Sequence, residues 1–243
     1  MNRNIKAVLF DFGQTLVDSA DGFRTAEKMA KETLFADIFG NQKAHRWDQF
    51  VSQYRAVRKA FHDRSNFSRP SIWQSVYERF GRKPKSRQLA AWERTYWETV
   101  KSKTRPFPET LQVLDALSRN YRLGLITNTQ GQKAEGTHRI ALFPQIERFF
   151  ETIIVAGEGG LPPKPARRAF EAALEAMKIL PAEAIYVGDD WRNDICGARD
   201  AGLQPVWLKH HSVRRNWPEG NGGVVVINDL RKLIEINRPL KEA

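Results

Sequence analysis

Two hydrophobic periods divide this chain. Residues 5–10 are apolar around Ala7-Val8-Leu9-Phe10 and stop at Asp11, which predicts a short strand buried on both faces. From about Asp21 to Gly40 the spacing becomes helical, with Phe23, Ala26, Ala30, Leu34 and Ile38 roughly on one face. A second helix is predicted from Ala44 to His62, with Trp47, Phe50, Val51, Tyr54 and Val57 on its apolar side. Arg69-Pro70-Ser71 reads as a break, with Ser71 capping a third helix that ends at Phe80. A fourth helix starts at Ser86 and carries Leu89, Trp92, Tyr96, Trp97 and Val100 inward. Residues 18–105 are therefore expected to be all-helical and strand-free.

After Pro106-Phe107-Pro108 the pattern alternates. Helices are predicted over Glu109–Ser118, Lys133–Leu142, Ala166–Met177, Asp194–Ala201 and Leu230–Ile236. Strands are predicted over Arg122–Thr127, Ile153–Val155, Ala184–Val187, Pro205–Leu208 and Val224–Ile227. Alternating strands and helices predict an α/β fold with a doubly wound parallel sheet, interrupted after its first strand by a smaller helical domain. The expected division is 1–17 with 106–243 as the α/β core and 18–105 as the helical insert.

Three of the strands end in polar residues: Asp11 to Thr15, Thr127-Asn128, and Asp189-Asp190 to Asp194. A parallel sheet brings such tips to one edge, where open α/β folds bind ligands. Pro162-Pro163-Lys164-Pro165, just before a helix, can add a lysine there. A single strand-end acid is more often a helix cap. Several acids, a threonine and a lysine at successive tips favour a site.

Composition changes the picture less. The chain has 243 residues and a single cysteine, Cys196, so it forms no internal disulfide and fits a reducing compartment. It has no apolar run of the roughly 20 residues that span a bilayer, and its first apolar run leads straight into Asp11, unlike a signal peptide. A cytoplasmic protein with no membrane partner is expected. The net charge is +11. Much of the basic charge lies between residues 24 and 105, beside Trp47, Trp73, Trp92 and Trp97. Without a nucleic-acid motif, this reads as a solvated basic face over an aromatic core rather than a nucleic-acid surface.

The four polar clusters, in order, resemble the motifs of the haloacid dehalogenase-like (HAD) hydrolases. Asp11 and Thr15 match the first motif, Thr127 the second, Lys164-Pro165 the third, and Gly188-Asp189-Asp190 with Asp194 the fourth. The helical stretch after the first motif is similar to the cap of the phosphoglycolate phosphatase and β-phosphoglucomutase branch. The resemblance implies a Mg²⁺-dependent phosphatase acting on a small phosphorylated substrate. Asp11 would attack phosphorus, and Asp11, Asp189 and the Gly13 carbonyl would hold the metal. Asp194 would bind the metal or one of its waters, with Asp190 competing for that place. Lys164 would balance charge, and Thr127 and Asn128 would hydrogen-bond the transferring group. Thr15 joins the substrate-binding set. Arg24, with Arg58 and Arg64 as alternatives, would meet a second anionic group from the cap.

Gly13 departs from the pattern, because the family's phosphatases carry a second Asp there as the acid–base. Losing such a group costs roughly 10²–10⁴ in rate. Three readings follow. One is a slow phosphatase, or one specialised for good leaving groups. The second is a phosphonoacetaldehyde hydrolase-like enzyme with a Schiff-base lysine from the cap, for which Lys28, Lys31 and Lys59 are available. The third is a non-catalytic protein that keeps the fold.

Overall fold

In the computed structural model, six strands form one parallel sheet in the order β5-β4-β1-β6-β7-β8. The structure describes residues 4–40, 46–64, 66–129, 139–213, 216–220 and 222–236. The first strand, β1 (Ala7–Phe10), is fully buried and central. Its partners are β4 (Arg122–Asn128) and β6 (Ala184–Gly188), with Phe10 opposite Leu125 and Val187. Outside them lie β5 (Thr152–Ala156), β7 (Gln204–Leu208) and β8 (Val225–Ile227). Every strand reaches the same carboxyl edge because every pairing is parallel. An all-apolar strand such as Ala7-Val8-Leu9-Phe10 needs cover on both faces. One face packs with Val113, Leu114, Leu117, Ile146 and Leu233. The other packs with Ala169, Phe170, Ala173 and Met177.

Among the described residues, this α/β unit comprises those up to Asp18 and those from Arg105 on; Ser19–Thr104 form the helical unit. The α/β unit also holds a two-stranded antiparallel ribbon, β2 (Val17–Asp18) with β3 (Arg105–Pro106). Asp18 and Arg105 thus lie in strands, where the sequence pattern led us to expect none. The backbone pairing of a two-residue ribbon has no periodic signature to read.

The helical unit contains α1 (Ala20–Phe39), α2 (Trp47–His62), α3 (Arg69–Arg79) and α4 (Ser86–Lys103). Its core is Ala26, Leu34, Phe50, Tyr54, Trp73, Tyr96 and neighbours. The helix α3 begins earlier than expected. Ser68, not Ser71, is its cap: the Ser68 hydroxyl accepts the Ser71 N–H at 3.4 Å. Pro70 lies in the first turn, where its missing N–H costs nothing. Residues 133–138 of the helix expected over Lys133–Leu142 lie outside the described residues, and Arg139–Leu142 form a 3₁₀ turn. The remaining helices are α5 (Thr110–Ser118), α6 (Pro144–Glu147), α7 (Arg167–Met177), α8 (Gly197–Asp200) and α9 (Lys232–Ile236). No described helix is long and apolar enough to cross a membrane.

Candidate active site

β1 places Asp11 at the carboxyl edge, tied to the neighbouring strand by its N–H to the Val187 carbonyl at 2.9 Å. Asp189 follows two residues beyond Val187, and Thr127 two beyond Leu125, so both sit past the residues that face Phe10. The chain then turns sharply. The N–H groups of Leu16 and Val17 both reach the Phe12 carbonyl, at 2.9 and 3.3 Å, and Gln14 adopts φ 60°. This turn places Gly13 half-buried, bridged to Val17, and returns Thr15 so that its hydroxyl lies 3.5 Å from Asp11 Oδ2.

The segment after β6 differs from the expected helix over Asp194–Ala201. A π-helical turn occupies Trp191–Cys196, capped by Asp190, whose Oδ1 accepts the Asn193 N–H at 2.8 Å. The wide turn shows in the hydrogen bond from the Ile195 N–H to the Asp190 carbonyl, 3.2 Å. Such turns cluster at functional sites because they re-aim one side chain. Here that side chain is Asp194, which points back under the strand tip. Its Oδ2 accepts the Asp190 N–H at 2.9 Å. Gly188 makes room: a Cβ built there would lie 2.4 Å from Asp194 Cβ and 2.6 Å from its Oδ2.

Asp11, Asp189 and Asp194 therefore converge, all buried, with one carboxylate oxygen from each within 4.8 Å of the others. Asp190 is not in this cluster. Of the two acids that competed for the place, the structure brings Asp194 in, while the Asp190 carboxylate caps the turn.

Lys164 binds the cluster together. Its ammonium donates to Asp11 Oδ1 and Asp194 Oδ1, each at 2.7 Å, to the Tyr186 hydroxyl at 2.7 Å and to the Ile126 carbonyl at 2.9 Å. Burial alone would push its pKa down, but the two carboxylates outweigh that and hold the lysine charged. Burial raises the Asp194 carboxyl to about 6, with Lys164 pulling the other way.

Asn128 ties the end of β4 to Lys164. Its Oδ1 accepts the Lys164 N–H at 2.7 Å and its Nδ2 donates to the Lys164 carbonyl at 3.0 Å. Its amide therefore fixes the lysine backbone. Thr127 is buried at the end of β4. Arg24 belongs to the helical unit, with its side chain 74% exposed and 3.7 Å from Asp21. Lys28 and Lys59 are exposed in ion pairs with Glu32 and Asp63. Neither is desolvated, the usual way to make a lysine amine nucleophilic.

Sequence reasoning missed two side chains. Tyr186 lies inside an apolar strand, and its hydroxyl also reaches the Ile126 carbonyl at 3.0 Å and Asp194 Oδ1 at 3.2 Å. Trp207 on β7 donates its indole N–H to the Asp189 carbonyl at 3.0 Å. The only signal for either was a polar atom on a residue at a fully buried strand position.

The model of the haloacid dehalogenase-like hydrolases matches residues 5–202. A glyceraldehyde 3-phosphate phosphatase of Methanothermobacter thermautotrophicus is 31% identical over 241 residues, covering 96% of this chain and 99% of its own. A phosphoglycolate phosphatase of Salmonella typhimurium is 28% identical over 216 residues, covering 86% of this chain and 82% of its own. Among solved structures, a HAD phosphatase from Thermococcus onnurineus superposes with a TM-score of 0.65 at 22% identity, covering 96% of this chain and 97% of its own. A 2-haloacid dehalogenase from Pseudomonas syringae pv. Tomato DC3000 also resembles the chain and supports the same fold.

Proposed function

The chain belongs to the haloacid dehalogenase-like hydrolases, and we propose that it is a Mg²⁺-dependent phosphatase of small phosphorylated metabolites, working through a phosphoryl group carried on Asp11. The observation that carries this reading is the buried cluster of Asp11, Asp189 and Asp194 around Lys164. The curated relatives named above are phosphatases of two- and three-carbon phosphate esters by their names, and a substrate of that size is the natural expectation.

The cluster fits a hard divalent cation. Its donors are all carboxylate oxygens, the ligand type Mg²⁺ selects. Three clustered carboxylates, two of them on the one Lys164 ammonium, leave an excess of two negative charges. Asp11, Asp189 and Asp194 would hold the ion, with the Gly13 carbonyl as a further oxygen. When bound, it would screen the repulsion between the Asp11 carboxylate and the phosphate dianion.

The chain's own groups do the rest. An Asp11 oxygen attacks phosphorus, forming the acyl phosphate bond as the ester P–O bond breaks. The Lys164 ammonium stays within reach of the attacking carboxylate and of the charge that develops on the transferring group. The Thr127 hydroxyl, at the tip of the adjoining strand, supplies a donor to that group. Water then cleaves the phosphoryl–Asp11 bond, releasing phosphate and restoring the carboxylate.

Gly13 has no side chain to protonate the leaving oxygen or to activate that water, so the leaving group takes its proton from solvent. Substrates whose leaving groups need little protonation, such as acyl phosphates, are turned over fastest relative to a conventional phosphatase.

Phosphate release from a panel of short phosphorylated metabolites, with and without Mg²⁺, tests the reading. Mg²⁺-dependent release that disappears in Asp11→Asn is expected. Release no greater than that of the Asp11→Asn protein across the whole panel would overturn it.

A further inference from the structure

The Lys164 ammonium has three N–H bonds and four oxygen neighbours within 2.9 Å: Asp11 Oδ1, Asp194 Oδ1, the Tyr186 hydroxyl and the Ile126 carbonyl. Two of the four are carboxylates of the proposed chemistry, one is fixed backbone, and one is a neutral side chain. We propose that Tyr186 is a positioning residue that shares out the hydrogen bonds of Lys164, keeping the ammonium between Asp11 and Asp194 rather than collapsed onto either. The proposal rests on the phosphatase reading above and adds a residue to it.

The tyrosine is placed for this. Its ring is buried at 0% exposure in the middle of β6, in edge-to-face contact with Phe170 at 5.1 Å between centroids. The ring therefore has one orientation, which aims its oxygen at the lysine. That oxygen accepts from Lys164 Nζ at 2.7 Å. Its own proton has two acceptors, the Ile126 carbonyl at 3.0 Å and Asp194 Oδ1 at 3.2 Å. A phenol is both a hydrogen-bond donor and an acceptor, so it can serve the lysine and the carboxylate at once.

This matters when Asp11 becomes a nucleophile. A carboxylate oxygen that accepts a strong hydrogen bond from an ammonium is a poorer nucleophile, because its lone pair is stabilised. For attack, Lys164 must loosen its hold on Asp11. It can do so only if its N–H bonds have other acceptors, since a buried unsatisfied donor is costly. Tyr186 is one such acceptor. As the lysine turns off Asp11, its three N–H bonds fall to the Tyr186 oxygen, Asp194 Oδ1 and the Ile126 carbonyl, and the phenol proton can swing from that carbonyl to Asp194 Oδ1. Without the hydroxyl, three N–H bonds face two carboxylates and one carbonyl, and Asp11 stays clamped.

Tyr186→Phe removes the hydroxyl and keeps the ring that packs on Phe170. The expected result is a kcat lower by roughly tenfold, the factor for one hydrogen bond to a charged group, with KM changed less than twofold. Tyr121→Phe, at a partly buried tyrosine outside the cluster, serves as the control and retains wild-type kcat. A second measurement needs no turnover: a thermal-unfolding cycle of Tyr186→Phe, Lys164→Met and the double variant in metal-free protein. Coupling between the two substitutions is expected. A kcat within twofold of wild type for Tyr186→Phe, or strictly additive unfolding shifts, would overturn the proposal. If the unaltered protein releases no phosphate from any substrate, the phosphatase reading fails and the thermal cycle alone decides the contact.

Discussion

Replacing Gly188 by alanine adds a single methyl group where the structure has no room for one. The new Cβ would lie 2.4 Å from Asp194 Cβ, 2.5 Å from its Cγ and 2.6 Å from its Oδ2. Ordinary contact begins near 3.4 Å, so the Asp194 side chain must retreat by about 1 Å or the strand tip must open. Asp194 is 1% exposed and cannot retreat into solvent. A shift of that size breaks its 2.7 Å bond to Lys164 and its 2.9 Å bond from the Asp190 N–H. Each is a hydrogen bond to a charged group, contributing about 1.5–3 kcal/mol. With partial relaxation, a net destabilisation of about 2–4 kcal/mol is expected. A misplacement of about 1 Å also costs on the order of 10²-fold in rate. Denaturant unfolding measures the first effect and steady-state phosphate release the second, with Mg²⁺ calorimetry reporting whether the carboxylates still converge. A Gly188→Ala protein with wild-type unfolding midpoint and kcat/KM within threefold would refute the argument that Gly188 exists to admit Asp194.

Other consequences follow from neighbouring contacts. Gly13→Asp supplies the missing carboxyl and should raise kcat on alkyl phosphates by roughly 10²-fold or more, with a smaller gain on acyl phosphates; equal gains on both would contradict the leaving-group argument. Asn128→Ala frees both backbone bonds of Lys164 and should lower kcat by roughly 10- to 100-fold, with the global fold intact by circular dichroism. In the helical unit, Glu27 accepts from Tyr54, Arg58 and Tyr96 at 2.9, 3.0 and 3.1 Å. Glu27→Ala would strand the buried Arg69 charge near it and destabilise that unit by about 3–5 kcal/mol, read as loss of midpoint in urea. His62 is held down to about 4 by burial and by the charges of Arg58 and Arg69. The unfolded chain therefore binds a proton below about pH 6.5 that the folded chain refuses until about pH 4, so stability falls as pH drops through that window. Because the ring is only partly buried, the loss should be about 1–2 kcal/mol rather than the full shift; an unfolding midpoint that is equally pH-dependent in His62→Gln would assign the effect elsewhere.

The order of elements was written in the chain because it rests on local physics. An apolar run such as Ala7-Val8-Leu9-Phe10 has one stable use, a strand covered on both faces, and alternation with amphipathic helices makes its neighbours parallel. That placed Asp11, Thr127 and Asp189 at one edge, and the resemblance to the HAD hydrolases named the chemistry. What sequence did not determine is which groups touch. Asp190 and Asp194 are equivalent acids in a string of residues; the π-helical turn and the absent Cβ of Gly188 turned one into a cap and the other into the cluster. Lys164 meets Asp11 across 153 positions of sequence, and Asn128 and Tyr186 hold that lysine only because their strands, β4 and β6, flank β1 in the sheet. Periodicity reports which face a residue occupies, while a hydrogen bond at 2.7 Å depends on packing summed over the whole unit, and only the tertiary structure contains that sum.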